Sequence, residues 1–534
     1  MRGVRSGTIA VALSLIAIGS AGSGSTAIAR PSQADPHRPP LTIPALRQWY
    51  HGEGTWHLGE RARILVWPAR PAMVRLGKQL ATDVRAEVGR RLPVVEGRGG
   101  YRRGDIVLRH SRDLARSLGT EGYALEVSRV VRISAPTSTG IFYGGRTLVQ
   151  LLHQGTSLRQ GFGLDSPRYP ERGLMVDASR TTYSTHWVLR EIHRLAALKL
   201  NVLHLHLTDD QRWAIDSRAY PSVVAKHAFS RADIRRILRV AKRNHVMVIP
   251  EFEMPGHMAS FLSRHPALEL KPAAIVGSST SQQYVTDKLD ITNPKALAAM
   301  RRILDEYLPL FPGRYWDMGC DEYLSPAEYA VFPQLAAYAV THYGPGATPA
   351  DVIHAFINAV DRIVRAHHKT LRIWSDQMGG TGLVPVNNDV VAEWWSSASP
   401  LGDPVTVAPS TLLNRGFQVL NAGWYPNYYT DDLGPVAGRA DLAGVYQSWA
   451  VNQFDGQELT TGTVTTRQTV PAGSPGLLGA TLNVWGPLKE STEQTAAGIE
   501  PHLAVLAQKT WGSRLPTPTY QGFSRAMRRV GLPR

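Results

Sequence analysis

The sequence predicts an α/β protein, a (β/α)8 TIM barrel preceded by a small α/β domain. Eight short apolar or β-branched runs follow one another through the larger, later part of the chain, as strands covered on both faces should. Amphipathic stretches such as WVLREIHRLAALKL, with Val188, Ile192 and Leu195 on one face, separate several of them. Neither a G-x-G-x-x-G nor a P-loop fingerprint follows any run, which sets a nucleotide-binding open sheet aside. With 534 residues there is room for a barrel and a smaller domain.

In chain order, residues 1–29 read as an export signal. Arg2 and Arg5 give a positive start, Ile9 to Ile18 an apolar run, and Ala27-Ile28-Ala29 an A-x-A cleavage pattern. The run is shorter than the ~20 residues a membrane span needs. The expectation is a secreted protein, cleaved after Ala29, with no membrane span once the signal is removed. Residues 30–44, rich in proline and polar side chains, read as an extended linker.

The small domain is placed at 45–168. ARILVWP and DIVLRH are strand-like, Met73 to Gly89 has helical periodicity, YALEVSRVVRISA reads as a hairpin and GIFYGGRTLVQLLHQ as an apolar helix. The barrel is placed at 169–534. Its strands are expected at GLMVD (173–177), NVLHLHL (201–207), HVMVIPE (245–251), YWDMG (315–319), LRIWS (371–375), VVAEW (390–394), FQVLNA (417–422) and LGATLNVW (478–485).

Composition narrows the function classes. Hydrophobic residues at 43% and charged residues at 19% exclude a disordered chain. The formal net charge of +16 favours anionic surroundings, but the basic residues are spread along the chain, which argues against nucleic acid as a partner. With Cys320 as the sole cysteine, no intramolecular disulfide can form.

Barrel chemistry sits at the carboxyl ends of the strands. Those ends carry, in order, Asp177 and Arg180; Asp209 and Asp210; Glu251, Glu253 and His257; Asp321 and Glu322; Trp374 and Asp376; Glu393 to Trp395; Trp424 to Asp431; and Trp485. A single tryptophan is usually core, and a lone aspartate at a strand end often caps a helix. Repetition at nearly every strand end favours a site instead. Carboxylates with indoles suit a sugar, whose C–H faces stack on rings while its hydroxyls need polar partners. His204 and His206 point to the same side of their strand, as metal ligands would. Without an H-E-x-x-H or cysteine site beside them, the expectation is no metal and no cofactor.

The runs RGLMVDASR (172–180), NVLHLHLTDDQRW (201–213), VIPEFEMPGH (248–257), MGCDEY (318–323), YYTD (428–431) and LNVW (482–485) resemble those of glycoside hydrolase family 20, the β-N-acetylhexosaminidases. EGYALEV and GIFYGGRTLVQLL are similar to the domain that precedes the barrel in that family. The likeness covers nearly all of the chain after residue 45.

The resemblance implies a glycan partner with a terminal N-acetylhexosamine and a retaining exo-β-N-acetylhexosaminidase. Neighbouring carboxylates at a strand end diverge, so Asp321 and Glu322 cannot simply flank one glycosidic bond. The family resolves this by substrate assistance, in which the 2-acetamido oxygen attacks C1 to give an oxazolinium. By the resemblance, Glu322 is the general acid and base, Asp321 orients the acetamido N–H, and Tyr429 donates to the acetamido oxygen. Trp374, Trp394 and Trp485 would wall that pocket, Arg180 would bind ring hydroxyls and Asp431 would lie near O6. Asp210 and His257 would position the acid.

Three departures stand out. Asp317 and Cys320 replace the histidine and second glycine of the family's H-x-G-G-D-E motif, and Pro487 stands where a glutamate usually grips O4 and O6. Two alternatives stay open: a lacto-N-biosidase-like enzyme of the same family, and a glycan-binding protein without turnover.

Overall fold

The computed structural model describes residues 39–97, 100–273, 287–379, 382–396, 407–431, 440–457, 464–486 and 488–531. The expected signal segment, most of the expected linker and Pro487 lie outside the described residues.

The small domain is a seven-stranded mixed sheet in the order 50–57, 157–165, 123–127, 131–135, 106–110, 64–67, 94–96. Helices Pro71–Val88 and Ser138–His153 pack against it through Met73, Leu80 and Val84 and through Ile141, Leu148 and Leu151. The strands, hairpin and helices expected from the apolar runs are all present. The edge strand Tyr50–His57 and its partner Ser157–Asp165 were not expected. Both are largely polar and interrupted by glycine, so they carry little periodic signal and form by pairing with each other and with Tyr123–Val127.

The described end of the expected linker is packed. Ile43 is fully buried, its N–H donates to Gln150 Oε1 at 2.8 Å, and its carbonyl accepts from Gln150 Nε2 at 2.7 Å. The next residue but one, Ala45, donates its N–H to Gln508 Oε1 at 2.9 Å.

The barrel has eight parallel strands: β1 Glu171–Asp177, β2 Val202–His206, β3 Met247–Glu251, β4 Tyr315–Asp317, β5 Thr370–Trp374, β6 Val391–Trp394, β7 Gln418–Asn421 and β8 Leu477–Val484. Consecutive strands pair in parallel, and β8 pairs with β1 to close the ring. Each coincides with a run predicted from the sequence. Helices such as Thr185–Ala197, Arg231–Arg243 and Pro349–Ala366 bury one face against the strands and expose the other.

Inside the barrel, Val202, Ile249, Tyr315, Val391, Leu420 and Leu478 form an apolar plug near the amino ends of the strands. Two residues further along, the same faces carry His204, Glu251, Asp317 and Glu393, all buried. Arg372 holds this charged layer together, 2.6 Å from Glu393 and 2.8 Å from Glu171. Asp177, His206, Glu251 and Asp317 lie in register across β1 to β4, so the strand ends present polar groups at one level.

Candidate active site

The acid pair stands on an unusual turn. After β4 the chain passes through Gly319, Cys320 and Glu322 at φ of 66°, 70° and 49°, in the left-handed region that residues with a Cβ rarely hold. Gly319 has no room for a side chain, because a Cβ there would lie 1.9 Å from Glu253 Oε2. The Gly319 N–H donates back to Asp317 Oδ1 at 2.9 Å, and the Glu322 N–H donates to Asp376 Oδ2 at 2.7 Å. The turn leaves the Glu322 side chain 31% exposed and that of Asp321 deeper, at 17%. Cys320 is fully buried, and burial together with Asp376, Asp321 and Asp317 pushes its thiol well above the ordinary range, which makes it inert.

His257, also at positive φ (50°), lies between Asp210 and the pair. Its Nδ1 is 3.3 Å from Asp210 Oδ2, and its Nε2 is 3.4 Å from Glu322 Oε2 and 3.6 Å from Asp321 Oδ2. Burial disfavours the imidazolium, yet Asp321, Asp210 and Glu322 outweigh it and hold the ring protonated well above the usual range. Burial also pushes the Asp321 carboxyl up, to about 7; Asp376, Glu322 and Glu251 add to the rise and His257 opposes it.

Arg180 reaches the same mouth. It is held by Asp177 at 3.0 Å and Asp209 at 2.6 Å, with its guanidinium 5.4 Å from the ring centre of Trp485. Asp210 in turn accepts the Ala259 N–H at 2.9 Å.

The strand ends also carry an aromatic cluster of Trp374, Trp395, Trp424, Tyr428 and Trp485 with Met175. Trp485 lies 5.8 Å from Trp374 and 5.9 Å from Tyr428, ring centre to ring centre, and Trp395 stacks on Trp424 at 5.3 Å. Trp374 Nε1 donates to Glu251 at 2.7 Å, and Trp395 Nε1 donates to Asp376 at 3.1 Å.

Two expected residues are corrected by one position. Trp394 faces away from the mouth: it packs edge-on against Phe454 at 5.3 Å and donates to the Val407 carbonyl. Its neighbour Trp395 is the one in the aromatic cluster. Likewise Tyr429 packs edge-on against His502 at 5.3 Å, touches Gly498 and donates to Glu490 at 2.8 Å. Tyr428 faces the site, where burial and the charge of Asp321 push its hydroxyl well above the ordinary range. In both cases successive residues of an extended segment point to opposite sides, and a pair of identical aromatics leaves the choice open in sequence. Asp431 is placed at the loop after β8, accepting the Lys489 N–H at 2.9 Å. Asp376, named from sequence only as a strand-end residue, turns out to touch both the acid turn and the aromatic wall.

Among the described residues, donor sets close enough to hold a cation are His206 with Glu251 and Glu253, His204 with Asp317 and Glu393, Asp209 with Asp210 and His257, and His257 with Asp321 and Glu322. Their histidines already have carboxylate partners: His206 is 2.8 Å from Asp209 and 2.9 Å from Glu251, and His204 is 3.0 Å from Glu251.

A closed (β/α)8 barrel with adjacent carboxylates facing an indole-lined pocket defines a glycoside hydrolase. The chain belongs to glycoside hydrolase family 20: its residues 169–514 match the model of the family's catalytic domain, and residues 40–164 match that of its domain 2. It is 29% identical to a lacto-N-biosidase of Bifidobacterium bifidum over 505 residues, covering 92% of this chain and 42% of that protein. It is 27% identical to a beta-hexosaminidase of Porphyromonas gingivalis over 438 residues, covering 75% of this chain and 52% of that protein. The chain thus spans about half the length of these two relatives. The fold is that of the family 20 β-N-acetylhexosaminidase from Streptomyces coelicolor A3(2), with TM-score 0.69, 24% identity and coverage of 92% and 95% of the two chains. It is also that of the family 20 exo-β-N-acetylglucosaminidase from Vibrio harveyi, with TM-score 0.71, 18% identity and coverage of 92% and 77%.

Proposed function

We propose that the protein is an exported, retaining exo-β-N-acetylhexosaminidase that releases terminal β-linked GlcNAc or GalNAc through an oxazolinium intermediate. The observation that carries this reading is the deep placement of Asp321 beside Tyr428, a member of the aromatic cluster, with the more exposed Glu322 next to it. Both carboxylates approach the same imidazole nitrogen, at 3.6 and 3.4 Å, and this shared anchoring supports a joint role on one side of the pocket. A sugar's own acetamido oxygen then supplies the attack on C1. The ionised Asp321 accepts the acetamido N–H and balances the positive ring, while the Tyr428 hydroxyl donates to the acetamido oxygen. The indoles exclude water, which strengthens both contacts. Glu322 gives its proton to the leaving oxygen and later takes one from water, oriented by His257 and Asp210. The export-signal pattern at residues 1–29 supports secretion.

A GlcNAc-thiazoline, which copies the oxazolinium, is expected to inhibit competitively and far better than GlcNAc. A covalent sugar adduct trapped on a carboxylate would overturn substrate assistance.

A second reading, release of a disaccharide, is favoured by the 29% identity to a lacto-N-biosidase across 92% of the chain and by the absence of a carboxylate at Gly486-Pro487. Arg180, pinned by Asp177 and Asp209 at the mouth, favours a single terminal sugar, whose hydroxyls it would bind. Turnover of p-nitrophenyl β-GlcNAc, β-GalNAc and lacto-N-bioside side by side separates the two. No turnover of any of them would leave a binding protein.

A further inference from the structure

Asp376 touches both halves of the pocket. It is buried in the short helical turn Ser375–Met378 that follows β5. One carboxylate oxygen, Oδ2, accepts the Glu322 N–H at 2.7 Å and Gln377 Nε2 at 3.1 Å; the other, Oδ1, accepts the Trp395 indole N–H at 3.1 Å. Burial pushes its carboxyl up, while these three donors favour the ionised form. Glu322 holds a backbone conformation that a residue with a side chain keeps only when its surroundings enforce it, and the bond to Asp376 supplies that constraint. Trp395 is fixed on its other side by stacking on Trp424.

We propose that Asp376 is a positioning residue that couples the pocket wall to the general acid. Seating a group against Trp395 and aiming Glu322 become one event, because a single carboxylate holds both. The inference rests on Glu322 being the acid, as proposed above. The charge of Asp376 also bears on Asp321, which is faced by His257 and Arg180 on the positive side and by Asp376, Glu322, Glu251 and Glu253 on the negative.

The test uses the full chain and two substrates, chitobiose, which needs an acid, and 2,4-dinitrophenyl β-GlcNAc, which does not. Asp376→Asn keeps one carbonyl acceptor but turns an amide NH2 toward the other donor, so one of the two holds is lost. Its kcat on chitobiose is expected to fall about tenfold or more, with KM little changed and a clearly smaller loss on the dinitrophenyl glycoside. The acidic limb of kcat/KM should also move to lower pH, because Asp321 loses a negative neighbour. Trp395→Phe keeps an aromatic ring but removes the indole donor, and its kcat should fall by about threefold or more on chitobiose, again with a smaller loss on the activated substrate. Wild-type kcat on chitobiose with an unmoved acidic limb in Asp376→Asn overturns the proposal. If that variant does not fold, Trp395→Phe decides: equal losses on both substrates, or a change in KM alone, mean that Trp395 is only a wall. Retained activity of Glu322→Gln on chitobiose would instead remove the acid assignment itself.

Discussion

On the β1 to β4 side of the mouth the inward-reaching groups are charged and hold one another: Arg180 with Asp177 and Asp209, and His257 with Asp210, Asp321 and Glu322. On the β5 to β8 side they are mostly rings, with Trp374, Trp395, Trp424, Tyr428 and Trp485 forming one cluster in which Trp374 and Trp395 also donate to Glu251 and Asp376. The charged side sets protonation and aim, where a few ångströms change a pKa. The aromatic side sets shape and dryness, where burial does the work. A family 20 hydrolase needs both, because the nucleophile proposed here belongs to the substrate. In the proposed mechanism one side delivers a proton and the other folds the acetamido group onto C1. Substitutions on the two sides should therefore fail in different ways.

The largest effect is expected on the charged side. Glu322→Gln should lower kcat by ~10²–10⁴-fold on chitobiose, the range general acid catalysis contributes. A dinitrophenyl glycoside, whose leaving group departs without help, should lose much less. Turnover of chitobiose near the wild-type rate would show that Glu322 is not the acid.

On the aromatic side the sharpest comparison is between adjacent tyrosines. Tyr428→Phe removes a donor aimed at the developing charge and should cost ~10²-fold in kcat, at the lower end for such a donor. Tyr429→Phe removes a part-buried bond to Glu490 outside the aromatic cluster, so it should leave kcat near wild type and cost about 1 kcal/mol of stability. Kinetics and a thermal melt of the two variants decide it. The reverse pattern would return the role to Tyr429.

These tyrosines also mark how far the sequence could be read. All eight barrel strands were legible, because a strand covered on both faces is a short apolar run bounded by polar residues. On the charged side the residues named from sequence lie together at the mouth. Asp177, Arg180 and His257 have no like neighbour that could take their place at the mouth, whereas Asp209 and Asp210 divide the work between Arg180 and His257, and Asp321 and Glu322 both reach His257. The aromatic side was read one position off at Trp394 and at Tyr429. Each has an identical neighbour, and only the three-dimensional path of the chain decides which of the two faces the core. Asp376 was invisible as a link because its partners, the Glu322 N–H and the Trp395 indole, come from two other strand ends.

The pH profile tests the charged side as a whole. The carboxyl of Asp321 is pushed up to about 7, chiefly by burial, and the proposed mechanism uses its ionised form. As pH falls through that value the active fraction shrinks, so kcat/KM should decline about tenfold per pH unit on the acidic limb. A limb that begins instead near 4, the ordinary aspartate range, would mean that the imidazolium of His257 cancels the effect of burial and of the neighbouring carboxylates.

The same raised carboxyl makes the smallest and most indirect prediction, one of stability. A group whose folded pKa lies above its unfolded value of about 4 binds its proton more tightly in the folded protein. Ionising Asp321 in place therefore destabilises the fold, and that cost is fully present above about pH 7 and disappears as pH falls toward 4. Asp321→Asn removes the charge from a site where Asp376, Glu322 and Glu251 repel it and where Oδ1 has no hydrogen-bond partner, at the loss of its attraction to His257. The net gain should be on the order of 1 kcal/mol at pH 8, a rise of about one degree in Tm for a chain of this size, in a variant with little activity. Melts of wild type and Asp321→Asn between pH 4 and 8 should show the gap closing as pH falls. A variant less stable than wild type at pH 8 would mean that the imidazolium of His257 more than compensates the crowding of carboxylates. The charged side would then be a balanced network, with no strain held in reserve for the oxazolinium.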